Sequence, residues 1–542
     1  MDRQEVYDAI VVGSGAAGGW AAKEMTERGL RTLLLEAGRT LEKDRDFPPP
    51  PTGTASKIQL FSRAKSFLGG QHIQSRCMSF SPLTEHLFVN DRENPYTTAA
   101  GKPFNWYRAR QVGGRMHLWG RNALRLSDHD LKAASYDGYG ENWPISYADL
   151  EPWYGRVETF LGVSGSAAGI PNIPDGTYER PHPITQAEKQ VLRDLAAKWP
   201  ERPSTTCRIV RHHPEPIPLP ILAALDTGNL TLRSDAVVSH IIVDPNSGMG
   251  RGVAFVDRNT KERHEVLGKT VVVCASTIES LRILLNSNSP RHPAGIGNSS
   301  GRLGQYITDH VMVFQAGPYE PLEKGIKTDP YDFGAQSGIY IPSFRNAGGA
   351  RESGFRRGYS MLGSVGRIEP GWFFMAVGEM LPRPENCVEL DSSKRDAWGI
   401  PAARITCTHS DNEKAMIRDM RQTLADLARD CGLNVDLLKR ENILSRTVYK
   451  LASSLVYTED GALVPGSAIH ESGGAGMGDD PKRSVLNQHN QCWDAPNVFV
   501  TDSAAFPTSP FQNPGLTIMA LSARAGNFIA DQLARKEWRS SD

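Results

Sequence analysis

YDAIVVGSGAAGGWAAKEMTERGLRTLLLEAGR, residues 7–39, is the stretch that decides the fold. Ala9, Ile10, Val11 and Val12 form a short apolar run of the kind buried in a parallel sheet. Gly13, Gly15 and Gly18 follow at G-x-G-x-x-G spacing. The first glycine allows a tight turn and the second lets the backbone approach a pyrophosphate. The third lets the next helix pack close to the strand. That helix is expected over Ala16–Arg28, ended by Gly29, with its N-terminus aimed at the phosphates. Thr32–Leu35 is the second strand. Glu36 closes it about 20 residues after the glycines, where an acid bonds a ribose 2′-hydroxyl. Strand, glycine turn, helix, strand and acid in this order predict an α/β protein with a dinucleotide site of Rossmann type. The acid disfavours a 2′-phosphate, so FAD or NAD is expected rather than NADP.

The bulk composition narrows the remaining choices. A chain of 542 residues is too long for one simple core, so two domains are expected. Lys+Arg and Asp+Glu balance at 61 each, which gives no electrostatic case for nucleic acid or an anionic membrane. No run of about 18 apolar residues occurs, so no transmembrane segment is expected. The opening residues run straight into the first strand without a secretory or twin-arginine signal. That predicts a cytoplasmic chain, with export to the periplasm only alongside a signal-bearing partner. The seven cysteines are scattered and contain no C-x-x-C pair, so reduced buried thiols are expected, with neither disulfides nor zinc. No histidine spacing suggests a metal site.

Outward from the glycine motif, residues 40–105 are rich in Pro, Ser and Thr and read as loops and short elements forming a lid or partner surface. Residues 105–121, NWYRARQVGGRMHLWGR, are dense in aromatics, Arg and Gly, an unusual mix for a plain core element. Ser146 is placed to cap a helix through Val157. Residues 230–243 read as two strands, and Arg251–Val256 with His264–Leu267 as a hairpin. Lys269–Ala275 reads as another buried strand, followed by a helix capped by Ser276. Beyond His310 come strands at Ser360–Val365 and Trp372–Leu381, and a helix over Asp411–Asp430 with Met416, Met420, Leu424 and Leu427 on one face. A strand at Asn497–Val500 and a helix at Leu516–Gln532 close the chain.

The C-terminal blocks HESGGAGMG (470–478), DSAAFP (502–507) and QNPGLTIMAL (512–521) complete a recognisable set. With the glycine motif, Gly113-Gly114, Trp119-Gly120, Ala275–Ser287 and Thr308-Asp309-His310, the chain resembles the glucose–methanol–choline (GMC) oxidoreductases, which are FAD enzymes. The motifs PYTT, PFNWYRARQVGGR, WGR and HESGG are most similar to those of bacterial glucoside 3-dehydrogenases, with pyranose-oxidase-type sugar oxidases next. The resemblance implies an FAD domain of Rossmann type, residues 1–310 and 465–542, with 40–105 inserted as lid or loop. Interwoven with it is a substrate domain, residues 311–464, on an antiparallel sheet backed by helices. It implies His470 and Asn513 as the catalytic pair and Gln512 as a residue lining the substrate pocket. The cofactor-binding set it implies is Gly13, Gly15, Ala16, Ala17, Gly18, Glu36, Ala37, Gly113, Gly114, His117, Trp119, Val237, Asp502 and Asn513. Where some pyranose oxidases tether FAD through a histidine just before this tryptophan, Leu118 stands here and His117 lies one residue earlier, so non-covalent FAD is expected. Gly476 departs from relatives that carry Arg before Met-Gly.

The chemistry fits these residue types. Oxidising an alcohol removes a hydride from carbon and a proton from oxygen. A histidine is suited to take the proton, and a positioned base is worth roughly 10²–10⁴ in rate. A second polar group steadies the oxygen as charge develops. The expected reaction is oxidation of a secondary hydroxyl of a sugar or glycoside, at C3 of a pyranose, to a ketone, by a dehydrogenase. Its electron acceptor is O₂, a quinone or a cytochrome, and a small partner subunit is among the partners the resemblance implies. The alternatives are a sugar oxidase using O₂, a gluconate or alcohol dehydrogenase of the same family, and a non-catalytic flavin electron-transfer subunit.

Overall fold

The structure is a computed structural model that describes residues 6–49, 55–319, 331–347, 354–367, 371–435 and 455–535. The first strand, Val6–Val12, pairs in parallel with Thr32–Leu35 on one side and with the long strand Arg263–Val273 on the other. Leu230–Arg233 extends the parallel set beyond Thr32–Leu35, and Val498–Val500 extends it beyond Val271–Val273. Ala9–Val12, Thr32–Leu35, Thr270–Val273 and Val498–Val500 are buried on both faces, which is why they read as nearly continuous apolar runs, while Leu230–Arg233 at the edge stays partly exposed.

The hairpin strand and the buried strand expected separately at 264–267 and 269–275 are one element. Its first half pairs antiparallel with Gly250–Asp257, and its second half joins the parallel sheet. The change of partner falls at Gly268, where an added Cβ would lie 2.8 Å from the Ile10 side chain.

The first helix, Ala16–Glu27, lies on the sheet through Ala17, Ala21, Ala22 and Met25, all buried. The last helix, Gly515–Arg535, packs against it. Gly526 provides the close approach, since a Cβ there would meet Ala21 and Glu24 at about 3 Å. Among the described residues no helix is long and apolar enough to cross a membrane.

The second sheet is antiparallel, in the order Val311–Gly317, Trp372–Gly378, Tyr359–Val365, Ile339–Ile341, Thr205–Thr206. One edge strand thus comes from well before residue 311. Alternation sends Val311, Met361, Phe374 and Ala376 toward the core shared with the helix Asp411–Asp430. That helix has the expected bounds and buries Met416, Met420, Leu424 and Leu427. A smaller hairpin, Cys387–Arg395 with Pro401–Thr406, packs on the helix Thr277–Asn286. Arg282 of that helix pairs with Asp396 at 2.6 Å and donates to the Pro401 carbonyl.

Residues 40–105 contain more helix than the composition suggested: Ala55–Leu68 forms fourteen residues of it. Its alternation of polar and apolar residues carries only a weak amphipathic signal, and the Pro run before it draws the eye to a loop reading. Ser146 caps its helix with a reciprocal bond to Asp149, and the helix runs to Leu161.

Candidate functional site

A cavity of about 620 Å³ lies between the two sheets. At one end it is lined by Gly13, Gly15, Ala16, Ala17, Glu36 and Ala37, and at the other by His470 and Asn513. Gly114, Trp119, Val237 and Asp502 also line it. The apolar wall comes from the second sheet, through Met312, Phe314, Leu362, Phe373 and Met375.

Each glycine of the motif does a different job. Gly13 has φ +96°, and a Cβ there would sit 2.5 Å from the Cys274 carbonyl. A Cβ on Gly18 would sit 1.8 Å from the Gly13 carbonyl, so this glycine sets the helix-to-strand distance rather than lining the cavity. A Cβ on Gly15 would meet no protein atom within 4 Å and would fill cavity space instead. Glu36 is buried and accepts from the Ser14 amide and hydroxyl at 3.1 and 2.6 Å and from the Gly38 amide at 2.9 Å. Burial raises its carboxyl above the ordinary value. Beside it, Val237 and Ala37 pack with Trp398 and Ile400.

Two cations in this region escaped the sequence reading. Arg108 and Arg110 both line the cavity. Arg110 pairs with Glu279 at 3.1 Å, yet its Nη1 is buried without a hydrogen-bond partner. Arg108 leaves Nε and Nη2 in the same condition, and burial together with the neighbouring Arg110 charge holds it down to about 10. Arg108 Nη2 lies 3.6 Å from Asp91, too far for a hydrogen bond, and the donor atoms left without one on these two arginines suit an anion. A glycine cradle, an acid at the end of the second strand and cationic donors beside them fit FAD. The arginine-rich run at 105–121 was the available signal.

The other end is built by two segments that meet. Thr308 and Ser472 exchange backbone hydrogen bonds at 2.9 Å each, which sets Asp309 and His310 beside His470. Asp309 is fully buried and accepts three amides: Gly466 at 2.7 Å and Ala468 at 3.2 Å on Oδ2, and His470 at 3.0 Å on Oδ1. Burial first, and Glu471 second, push its carboxyl up to about 7. The loop it holds contains Ile469 at φ +64°, an unusual conformation for a β-branched residue. His470 Nδ1 lies 2.8 Å from His310 Nδ1, and His470 Nε2 lies 3.3 Å from Asn513 Nδ2. Burial, then His310 and Arg115, hold His470 well below the usual imidazole value, so it is uncharged at neutral pH. Arg115, a further cavity residue, donates to Glu471 at 2.7 Å and to the Ser276 hydroxyl at 2.6 Å. Ser276 therefore does not cap its helix by side chain, as the sequence suggested, but holds this arginine.

Four of the expected residues do not line the cavity. Gly18 and Gly113 act through the backbone, Gly113 at φ +91° with His117 and Pro218 against it. His117 donates to the Val112 carbonyl at 2.9 Å and faces Phe47, while Leu118 lines the cavity. Gln512 is buried and donates to Asp130 at 2.8 Å. Asp502 lines the cavity with its carboxyl pushed up to about 6 by burial, and accepts from Ser280.

The GMC oxidoreductase family models match residues 220–312 (N-terminal domain) and 382–522 (C-terminal domain). A 2-methyl-1,2-propanediol dehydrogenase of Mycolicibacterium austroafricanum is 27% identical, the match covering 96% of this chain and 95% of that protein. A fructose dehydrogenase large subunit of Gluconobacter japonicus is 26% identical over 97% of this chain and 98% of that one. Among solved structures, a formate oxidase variant of Aspergillus oryzae RIB40, studied for its FAD modification, has the same fold. Its TM-score is 0.68 at 13% identity, with 99% of this chain and 100% of that chain covered. The chain carries both the N-terminal and the C-terminal GMC oxidoreductase domains and takes FAD as its cofactor.

Proposed function

We propose that the protein is a dehydrogenase that oxidises a secondary hydroxyl of a sugar or glycoside, at C3 of a pyranose, to a ketone. The observation that carries this reading is the pairing of His470 Nε2 with Asn513 Nδ2 on the cavity that also holds the glycine cradle. FAD, when bound, supplies the acceptor for the hydride leaving the substrate carbon. The chain's own residues handle the proton and the geometry. His470, uncharged because it is buried, takes the hydroxyl proton. Asn513 turns an amide N–H toward the same point and steadies the substrate oxygen. It stands at the start of the helix Gly515–Arg535, whose N-terminus favours negative charge close by. Phe314, Phe373 and Met375 offer an apolar face to the C–H side of a sugar ring or to an aglycone. The sugar assignment rests on the motif resemblance to glucoside 3-dehydrogenases, and a sugar dehydrogenase among the relatives supports it. Leu118 at the tether position, and His117 held off the cavity on the Val112 carbonyl, support non-covalent FAD.

Anaerobic titration of the flavin absorbance with glucose, lactose, gluconate and choline tests the reading. Bleaching by a sugar or glycoside and not by choline is expected, together with its loss in His470→Ala. Choline bleaching alone, or an unaltered rate in His470→Ala, overturns it. Analysis of the oxidised product locates the ketone carbon.

A further inference from the structure

We infer that His310 is the positioning residue that fixes the tautomer of His470, leaving Nε2 as the unprotonated nitrogen facing Asn513. This rests on His470 being the proton acceptor and goes one layer deeper.

The argument begins at a backbone carbonyl, which can only accept. His310 Nε2 lies 2.7 Å from the Pro510 carbonyl, so Nε2 carries the proton. His310 is fully enclosed, and burial pushes it down to about 4, so the ring is neutral near pH 7. A neutral imidazole has one N–H, and His310 Nδ1 is therefore a lone pair. His470 Nδ1, 2.8 Å away, must donate to it. With its one proton on Nδ1, neutral His470 has its lone pair on Nε2. Asn513 Nδ2, at 3.3 Å, is a donor and suits a lone pair there. The chain of donors is consistent from end to end: Asn513 to His470, His470 to His310, His310 to Pro510.

The bond between the two histidines also holds through the reaction, while the Asn513 N–H is released from Nε2 to the substrate oxygen. When His470 Nε2 receives a proton, its Nδ1–H still points at the His310 lone pair, and that bond becomes charge-assisted. The edge-on contact of the two rings, with centroids 4.8 Å apart at 79°, fixes the direction of the bond. No substrate-facing role is needed from His310, which does not line the cavity.

Two amide variants separate this role from simple packing. In His310→Asn the side-chain oxygen can stand at the Nδ1 position and accept from His470. In His310→Gln the amide reaches the Pro510 side and offers His470 no acceptor at that place. Stopped-flow flavin reduction by the bleaching sugar is expected to fall roughly 100-fold in His310→Gln, with KM little changed, and to recover to within about tenfold of wild type in His310→Asn. Equal rates in the two variants, or an unaffected His310→Gln, overturn the inference. Long-range proton–nitrogen spectra of histidine-labelled holoprotein, with His470 assigned by its loss in His470→Asn, read the tautomer without any turnover. A proton on Nδ1 supports the inference, and one on Nε2 overturns it. A protein that no sugar bleaches would refute the proposed function while this spectrum still decided the tautomer.

Discussion

Replacing Asp309 by Asn is expected to slow the reaction without unfolding the protein. The carboxylate accepts three amides of the 466–470 loop, whereas an amide side chain has one acceptor oxygen. Kept on the Gly466 and Ala468 side, that oxygen leaves the His470 amide facing an NH₂ group. A buried donor left this way costs about 1–3 kcal/mol. In the other direction, burial raises the Asp309 carboxyl from 3.8 to about 7. That is roughly three units at about 1.36 kcal/mol each, so the ionised form costs about 4 kcal/mol above pH 7. Asn carries no such cost, and the balance leaves the variant about 1–3 kcal/mol more stable than wild type at and above pH 7. The sign follows from linkage: a carboxyl raised in the folded state contributes stability below its unfolded value, lost as pH rises through about 7. Denaturation should therefore show wild type weakening relative to Asp309→Asn between about pH 4 and 8. The His470 loop, with Ile469 in its strained conformation, loses its clamp, and a displacement of about 1 Å can cost 10²-fold in rate. Anaerobic stopped-flow reduction, with urea denaturation on the same preparations, measures both quantities. A variant that loses more than about 2 kcal/mol of stability, or reduces its flavin at the wild-type rate, would refute the reasoning.

The remaining predictions concern cofactor and core. Arg110→Leu removes a buried donor that has no protein partner and should weaken FAD binding by about 10–100-fold, read from the quenching of FAD fluorescence on adding apoprotein; unchanged affinity would remove Arg110 from the site. Gly15→Ala should leave apoprotein stability intact while lowering FAD affinity, because its Cβ meets no protein atom. Gly18→Ala should destabilise the apoprotein itself by about 1–3 kcal/mol, because its Cβ meets the Gly13 carbonyl; thermal melts with and without FAD distinguish the two, and identical behaviour contradicts the assigned roles. His310 is depressed from 6.5 to about 4 by burial, so its contribution to stability is present above pH 6.5 and lost as pH falls toward 4, roughly 3 kcal/mol in all. His310→Asn should flatten that acid limb, and an equal slope in both proteins would show that His310 does not titrate as a buried neutral ring.

The nucleotide half was legible because its physics is local. A parallel strand buried on both faces must be apolar throughout, and a glycine turn must have glycine where backbone approaches backbone, so Val6–Val12, Ala16–Glu27, Thr32–Leu35 and Glu36 could be read within a few residues of their true ends. The helix Asp411–Asp430 was equally clear, since one apolar stripe over five turns has no other reading. His470 and Asn513 were named from their motif, but nothing in the sequence places them 3.3 Å apart. Tertiary structure alone decided the rest of the site. Asp309 and His310 come from a segment about 160 residues before His470, and one pair of backbone bonds between Thr308 and Ser472 brings them together. Arg108 and Arg110 stand out as candidates to hold an anion only because some of their buried guanidinium donors lack acceptors, a property of the packed neighbours and not of their spacing. Gln512 shows the reverse case. It is next to Asn513 in the chain, yet the turn points it to Asp130 and away from the cavity. Which histidine nitrogen carries the proton is settled by the Pro510 carbonyl two residues before Gln512, through a ring that reaches it only in the folded chain.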